Sequence, residues 1–316
     1  LQLTPAHREH LREKRGFSDE QIAAFGFKST PVPYLCNSLT ARLIQQGYTV
    51  QGVPGFYMAD SGKWTVKFHQ RTSGILIPYR GVDGLIQGLQ IRLDRPLRKE
   101  GDPPDKSGAK YLWLASTSKP MGTSSGSPIH FVGDPCSRVV YVTEGALKAD
   151  IAHVLMNRTF AATGGAGCTS QLDSLFDFLR RNGTEEIIEA EDMDKYSNKG
   201  VNQGASKLYL LAKKHGLSCR RLTWNPNYKG IDDWQLALHR KNTKTEEQDM
   251  FLNRMTFKER YQSGLCDLST VESCITQWEQ AKDCKISLRE YLGLTDFEYA
   301  AFLQDGQGDD FRRMMD

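Results

Sequence analysis

From residue 138 onward, short apolar runs alternate with amphipathic stretches, and that alternation admits few folds. RVVYVTEG reads as a strand ending at a turn, and ALKADIAHVLMN follows as an apolar-periodic helix. FAATGG is a second short strand. TSQLDSLFDFLRRNG is a helix with Thr169 or Ser170 as its N-cap and Gly183 past its end. EEIIEAEDMD, NQGASKLYLLAKKHG and SCRRLTWN supply a third strand, a third helix and a fourth strand. Repeated strand–helix units with short connections predict a parallel sheet with helices on both faces, a Rossmann-like α/β architecture.

The segments on either side follow other rules. Residues 5–26 read as two short helices, the second opened by a capping box at Ser18 and Gln21 and stopped at Gly26. A further helix is expected over 38–46. KWTVKFHQ, GILIPYR and LIQGLQIRL form short β-like runs broken by turns, and KYLWLAS follows them, which predicts a small antiparallel unit. Beyond the polar run HRKNTKTEEQ, the pattern is that of a short helical tail. Three parts are therefore expected: a basic α+β subdomain over 1–135, the α/β domain over 136–240 and an acidic helical appendage over 249–316.

Charge sharpens that division. The formal net charge is only +3, yet residues 63–119 carry 11 Lys and Arg against 5 Asp and Glu. Residues 249–316 carry 8 against 13. A basic block ahead of an acidic tail points to an anionic partner for the front half and a protein contact for the rear. No run approaches the roughly 18 uninterrupted apolar residues of a membrane span. The first residues lack a signal-peptide core, and the seven cysteines include no C-x-x-C pair. The expectation is a reduced, cytoplasmic protein without a disulfide framework or a zinc ribbon.

In an open α/β sheet, ligands bind at the carboxyl ends of the strands. Glu144 stands at the end of the first strand, Asp192 and Asp194 at the end of the third, and Asp232 and Asp233 after the fourth. Carboxylates from three strand ends are thus expected to converge on one rim. Unpaired, such a cluster repels itself, and a divalent cation with hard oxygen ligands, Mg²⁺ or Mn²⁺, is its natural neutraliser. TGGAGCTSQ could cradle phosphate with backbone N–H groups at a helix N-terminus, but it lacks the P-loop lysine and the full dinucleotide fingerprint, which favours a plain tight turn.

The order of these features resembles the Toprim domain of bacterial primases, topoisomerases and some nucleases: Glu-Gly after a strand, a helix, then Asp-x-Asp after a later strand. REKRGFSDEQIAAFGF, GILIPYRGVDGLIQGLQIRLD and GAKYLWLAS are similar to successive segments of the bacterial primase catalytic core. The likeness runs over roughly 8–240. The chain also looks like the Toprim-bearing, primase-related proteins of integrative and conjugative elements. By this resemblance Glu144 is the family's acid, with acid–base or metal duty, and Asp192 and Asp194 are the metal-binding pair. Asp232 or Asp233 helps hold a second ion. Arg92 and Lys110 fall on basic positions that hold phosphates, and Lys119 and Lys148 extend the set of phosphate-binding candidates.

Two departures stand out. Lys148 takes the place of a second acid four residues after Glu144, and KYSNKG follows Asp-x-Asp where the family has Ala-Gly. The expected function is Mg²⁺-dependent, primase-like nucleotidyl transfer on single-stranded DNA for a mobile genetic element. Nucleotides are the co-substrate, and a helicase or replication protein is the partner to expect. The alternatives are a Toprim nuclease and a non-catalytic DNA-binding or replication-accessory module with a degenerate metal site.

Overall fold

The computed structural model describes residues 1–98, 100–101, 103, 107–165, 170–193, 199–241, 255–280 and 286–315, with backbone only at 199–205, 305 and 310. The chain forms two compact units, Leu1–Leu238 and His239–Asp316.

The first unit opens with α1 (Pro5–Glu9), which runs on as a turn of π-helix over His10–Lys14, and α2 (Asp19–Phe25). Ser18 and Gln21 make the expected reciprocal cap, and Gly26 closes the helix at φ +76°. Helix α3 spans Cys36–Gln45. Strands β1 (Lys28–Ser29), β4 (Gly74–Arg80), β5 (Ile86–Leu97) and β6 (Ala109–Trp113) form an antiparallel sheet in the order β1-β4-β5-β6. KWTVKFHQ does not join it. Its Trp64–Val66 (β3) pairs instead with Phe56–Met58 (β2), a strand the Gly- and Pro-rich sequence around it conceals.

The expected parallel sheet is present. Strands β8 (Val139–Glu144), β9 (Thr159–Thr163), β10 (Glu186–Glu189) and β11 (Ser218–Arg221) run parallel in the order β11-β10-β8-β9. An antiparallel edge strand, β7 (His130–Val132), lies beside β9. Helices α4 (Ala146–Met156), α5 (Leu172–Arg181) and α6 (Lys199–Lys214) connect the strands, and α7 begins at residue 231. Helix α5 has Gln171 at its N-cap rather than Ser170, while Thr169 lies outside the described residues.

Strand alternation sorts the core into two layers. Val140, Val142 and Ile187 meet Leu172, Phe176 and Leu179 of α5 and Leu208 and Ala212 of α6 on one face. Phe160, Ala162 and Ala190 meet Ala149 and Ala152 of α4, with Trp224 and Ile231, on the other. A third apolar cluster ties α4 to the front of the chain: Ala146, Leu147 and Ile151 pack with Leu11, Phe17, Ile75, Ile77, Tyr79 and Leu236. Helix α4 therefore packs the start of the parallel sheet against the front of the chain within one compact unit.

The second unit is helical: α8 (Phe257–Gln262), α9 (Thr270–Gln280), α10 (Leu288–Leu292), α11 (Asp296–Asp305) and α12 (Asp309–Met315). Phe257, Val271, Cys274, Leu292 and Phe311 form its core. Three of its glutamates complete capping boxes, Glu259 with Thr256, Glu290 with Ser287 and Glu298 with Thr295. Part of the tail's acidity thus serves its own helix starts. Among the described residues, no helix is long and apolar enough to cross a membrane.

Candidate functional site

At the carboxyl end of the parallel strands lies a pocket of about 360 Å³. Its lining includes Glu144, Lys148, Asp192, Asp232 and Asp233, together with Arg15, Gln90, Lys110, Tyr111 and Lys229. Each acid arrives by a different route. Glu144 is the last residue of β8, and Gly145 turns the chain directly into α4 at φ +86°, where a side chain would strain the backbone. The Gly145 N–H donates to the Thr163 carbonyl at 2.7 Å, which fixes that turn to β9. Asp192 follows β10 and is buried; the Met193 N–H donates to the Lys229 carbonyl at 2.9 Å, which holds this segment against the 229–230 turn. Asp232 sits at the start of α7, also buried.

The acids are not left to repel one another. Lys148 lies one helical turn beyond Glu144; its Nζ donates to Asp192 Oδ1 and stands 3.8 Å from Glu144 Oε1. Lys229 Nζ is 3.6 Å from Asp192 Oδ2. Arg15 Nη1 is 3.2 Å from Asp232 Oδ2 and 3.8 Å from Asp233 Oδ1. Gly230 allows this crowding, since a Cβ there would fall 2.3 Å from Asp232 Oδ1 and 3.3 Å from Lys148 Cε.

Electrostatics still leave the cluster short of positive charge. Burial pushes the Glu144 carboxyl up to about 7, with Asp192 adding to the rise and Lys148 and Lys229 opposing it. Burial also raises Asp232, against the pull of Lys148 and Arg15. Burial works against the Lys148 ammonium, but Asp192, Glu144 and Asp232 together outweigh it and hold the lysine above its ordinary range. Among the described residues Asp232 Oδ1 is a buried acceptor with no hydrogen-bond partner.

The phosphate candidates divide. Lys110 and Lys148 line the pocket. Arg92 is not among the lining residues; it sits two residues from Gln90 on β5 and so shares its face of the strand. It also lies near His10, whose ring is held down at about 4 by burial and by the neighbouring Arg92 and Arg15. Lys119 stands apart, its Nζ 5.6 Å over the Tyr57 ring. Asp194 lies outside the described residues. Asp150, two residues beyond Lys148, faces away into the fold: His130 Nδ1 accepts from the Arg80 N–H, which leaves Nε2 to donate to Asp150 at 2.9 Å.

Glu144 and Asp192 offer the hard oxygen donors a divalent ion takes, and the unpartnered Asp232 oxygen lies elsewhere on the same pocket wall. No group of three or more candidate ligands gathers closely enough to hold a metal among the described residues. The donor chemistry fits one cation, with Lys148 standing between two of the ligands. Sequence reasoning did not find Arg15, Gln90, Tyr111 or Lys229. The first lies 217 positions from the acid it pairs with, and no local pattern announces such a contact.

No protein-family model matches the chain, and no curated protein matches it. Solved structures do. The zinc-binding and RNA polymerase domains of the Aquifex aeolicus primase superpose with a TM-score of 0.53 at 14% identity, over 92% of this chain and 70% of that one. The RNA polymerase domain of Mycobacterium tuberculosis primase DnaG gives 0.49 at 20% identity, over 95% and 91%. A DNA primase domain from Pseudomonas aeruginosa gives 0.48 at 16%, over 92% and 91%. At these identities the likeness is one of fold: a mixed α/β architecture similar to the catalytic core of bacterial primases.

Proposed function

We propose that this chain is a primase-like nucleotidyltransferase that extends nucleotides on single-stranded DNA with the help of Mg²⁺ or Mn²⁺, in the service of a mobile genetic element. One observation carries the reading. Acids from separate strand ends and basic side chains from the front of the chain share a single pocket, at the strand edge where α/β sheets bind ligands. In this reading 136–240 is a Toprim-like catalytic domain, 1–135 the basic template platform and 249–316 an appendage for a protein partner. Glu144, Asp192 and Asp194 would hold the ion, with Asp232 or Asp233 in support. A divalent ion bound there supplies charge neutralisation for the transferred phosphoryl group.

The chain's own residues account for the rest. Lys110, Lys229 and Arg15 present cations to phosphate oxygens; Arg adds a planar fork, Lys a point charge. Tyr111, 38% exposed, offers a ring face on which a base can stack. Arg92 continues the basic track along β5.

The test is primer synthesis on single-stranded DNA with Mg²⁺ or Mn²⁺, comparing wild type with Glu144→Gln and Asp192→Asn. Synthesis by wild type and a loss of at least 100-fold in each variant is expected; equal synthesis by all three refutes the assigned roles. A second reading, a DNA-binding module without catalysis, is favoured by Lys148 bridging Glu144 and Asp192. It predicts no synthesis by wild type beside salt-dependent binding of single-stranded DNA.

A further inference from the structure

Among the pocket's lysines, Lys148 is set apart by how firmly it is held. Its side chain is 25% exposed, against 63% for Lys229. Its ammonium donates to Asp192 Oδ1 and stands 3.8 Å from Glu144 Oε1, and the charge of Asp232 also favours its protonated form. Its methylene stem runs past Gly230, where a Cβ would fall 3.3 Å from Lys148 Cε. Two carboxylates therefore contact one nitrogen, and a third acts on it through charge. A lysine kept for phosphate needs the opposite arrangement, with its head free in the open part of the site.

We infer that Lys148 is a tethered counter-ion of this site: its ammonium takes the ground between Glu144 and Asp192, so a divalent ion held by those two carboxylates would have to displace it. This rests on the divalent-ion reading of the pocket and adds to it a residue that sets how tightly the ion is held. The charge count supports it. With all three acids ionised, the form that holds a cation, Glu144, Asp192 and Asp232 bring three negative charges, while Lys148 and Arg15, both largely buried, return two. The inner set is left one charge short of neutral, so a divalent ion entering beside an undisplaced lysine would overshoot. With the lysine gone the deficit is two, which one divalent ion satisfies.

The experiment is Mn²⁺ binding to the full chain, read by the loss of the free-ion electron paramagnetic resonance signal. Wild type, Lys148→Gln, Lys148→Arg and Asp192→Asn are compared. Lys148→Gln is expected to bind Mn²⁺ at least tenfold more tightly than wild type, and Lys148→Arg, which keeps the charge, no more tightly. A Kd for Lys148→Gln equal to or weaker than wild type overturns the inference. If wild type binds Mn²⁺ and loses it in Asp192→Asn while Lys148→Gln gains nothing, the inference alone fails and the metal site stands. If no variant binds Mn²⁺, or Asp192→Asn changes nothing, the metal reading fails and takes the inference with it. Thermal unfolding supplies the second measurement. Mn²⁺ should raise the Tm of Lys148→Gln more than that of wild type, and should restore folding if the variant is unfolded without it. A Tm that Mn²⁺ does not move, beside a folded Lys148→Arg, counts against the inference.

Discussion

Replacing Glu144 by glutamine should make the protein more stable at alkaline pH and barely change it in mild acid. The folded chain holds this carboxyl at about 7 instead of about 4.5, chiefly because it is buried, its side chain being 17% exposed, and secondarily because Asp192 lies beside it. Between those two pH values the folded state keeps a proton that the unfolded state has released, so stability falls as pH rises through that window and the full penalty remains above it. Two and a half pH units at about 1.36 kcal/mol each give about 3 kcal/mol. Glutamine has the same shape and never ionises, so it escapes the penalty. The expected gain is about 3 kcal/mol at pH 8 and less than about 1 kcal/mol at pH 5. Urea unfolding in EDTA, followed by tryptophan fluorescence, reads it: Trp64, Trp113, Trp224 and Trp234, four of the five tryptophans, lie in the first unit. A gain of equal size at both pH values, or a loss at pH 8, would refute the electrostatic account of the cluster.

Arg15→Ala removes the partner of a buried carboxylate 3.2 Å away and should cost about 3 kcal/mol by urea midpoint, the low end for a broken buried pair because the arginine is 20% exposed. Adding Asp232→Asn should return most of that loss. Gly164→Ala would put a Cβ 2.4 Å from the Trp113 ring, which packs on Tyr79 with centroids 4.4 Å apart. We expect a shifted tryptophan emission and a loss of about 1–3 kcal/mol; an unchanged spectrum would mean the ring is not held there. If Lys110 and Arg92 each meet a phosphate, Lys110→Ala and Arg92→Ala should each lower the slope of log K against log salt for single-stranded DNA by about 0.7. Unchanged slopes would remove both from the binding track.

How much of this was legible depends on the range over which the information is spread. The parallel strands announced themselves because strands buried on both faces need continuous apolar residues, as in the Val139–Val142 and Ile187–Ile188 runs. Their ends located Glu144 and Asp192, since a strand end is a local property. The three-residue β2 and β7 went unseen, being too short to show a period. Arg15 and Lys229 went unseen for a different reason: each is an ordinary surface-type residue in its own neighbourhood. The packing of α4 against Leu11, Phe17 and Leu236 carries the first residues of the chain to the acids. Lys148 was visible as a departure from an acidic pattern, but its direction was not, because a helix position fixes where a side chain starts and the surrounding charges decide where its head rests.

That last point bears on how a site of this kind works. Acids gathered at strand ends impose an electrostatic cost on the fold whether or not anything is bound, and a free ion and a tethered ammonium meet that cost differently. The ion carries twice the charge and leaves with its ligand or with a chelator, so a site that relies on it is strained whenever it is empty. The ammonium is tethered to the chain, which holds Glu144 and Asp192 together while no ion is bound, but as a single charge it leaves Glu144 near the midpoint of its ionisation at neutral pH. A lysine placed one turn after the first acid therefore trades depth of neutralisation for permanence. Its removal should move three observables together: the Glu144 carboxyl should rise further, stability without metal should fall, and the hold on a divalent ion should tighten. A merely decorative lysine would move none of them.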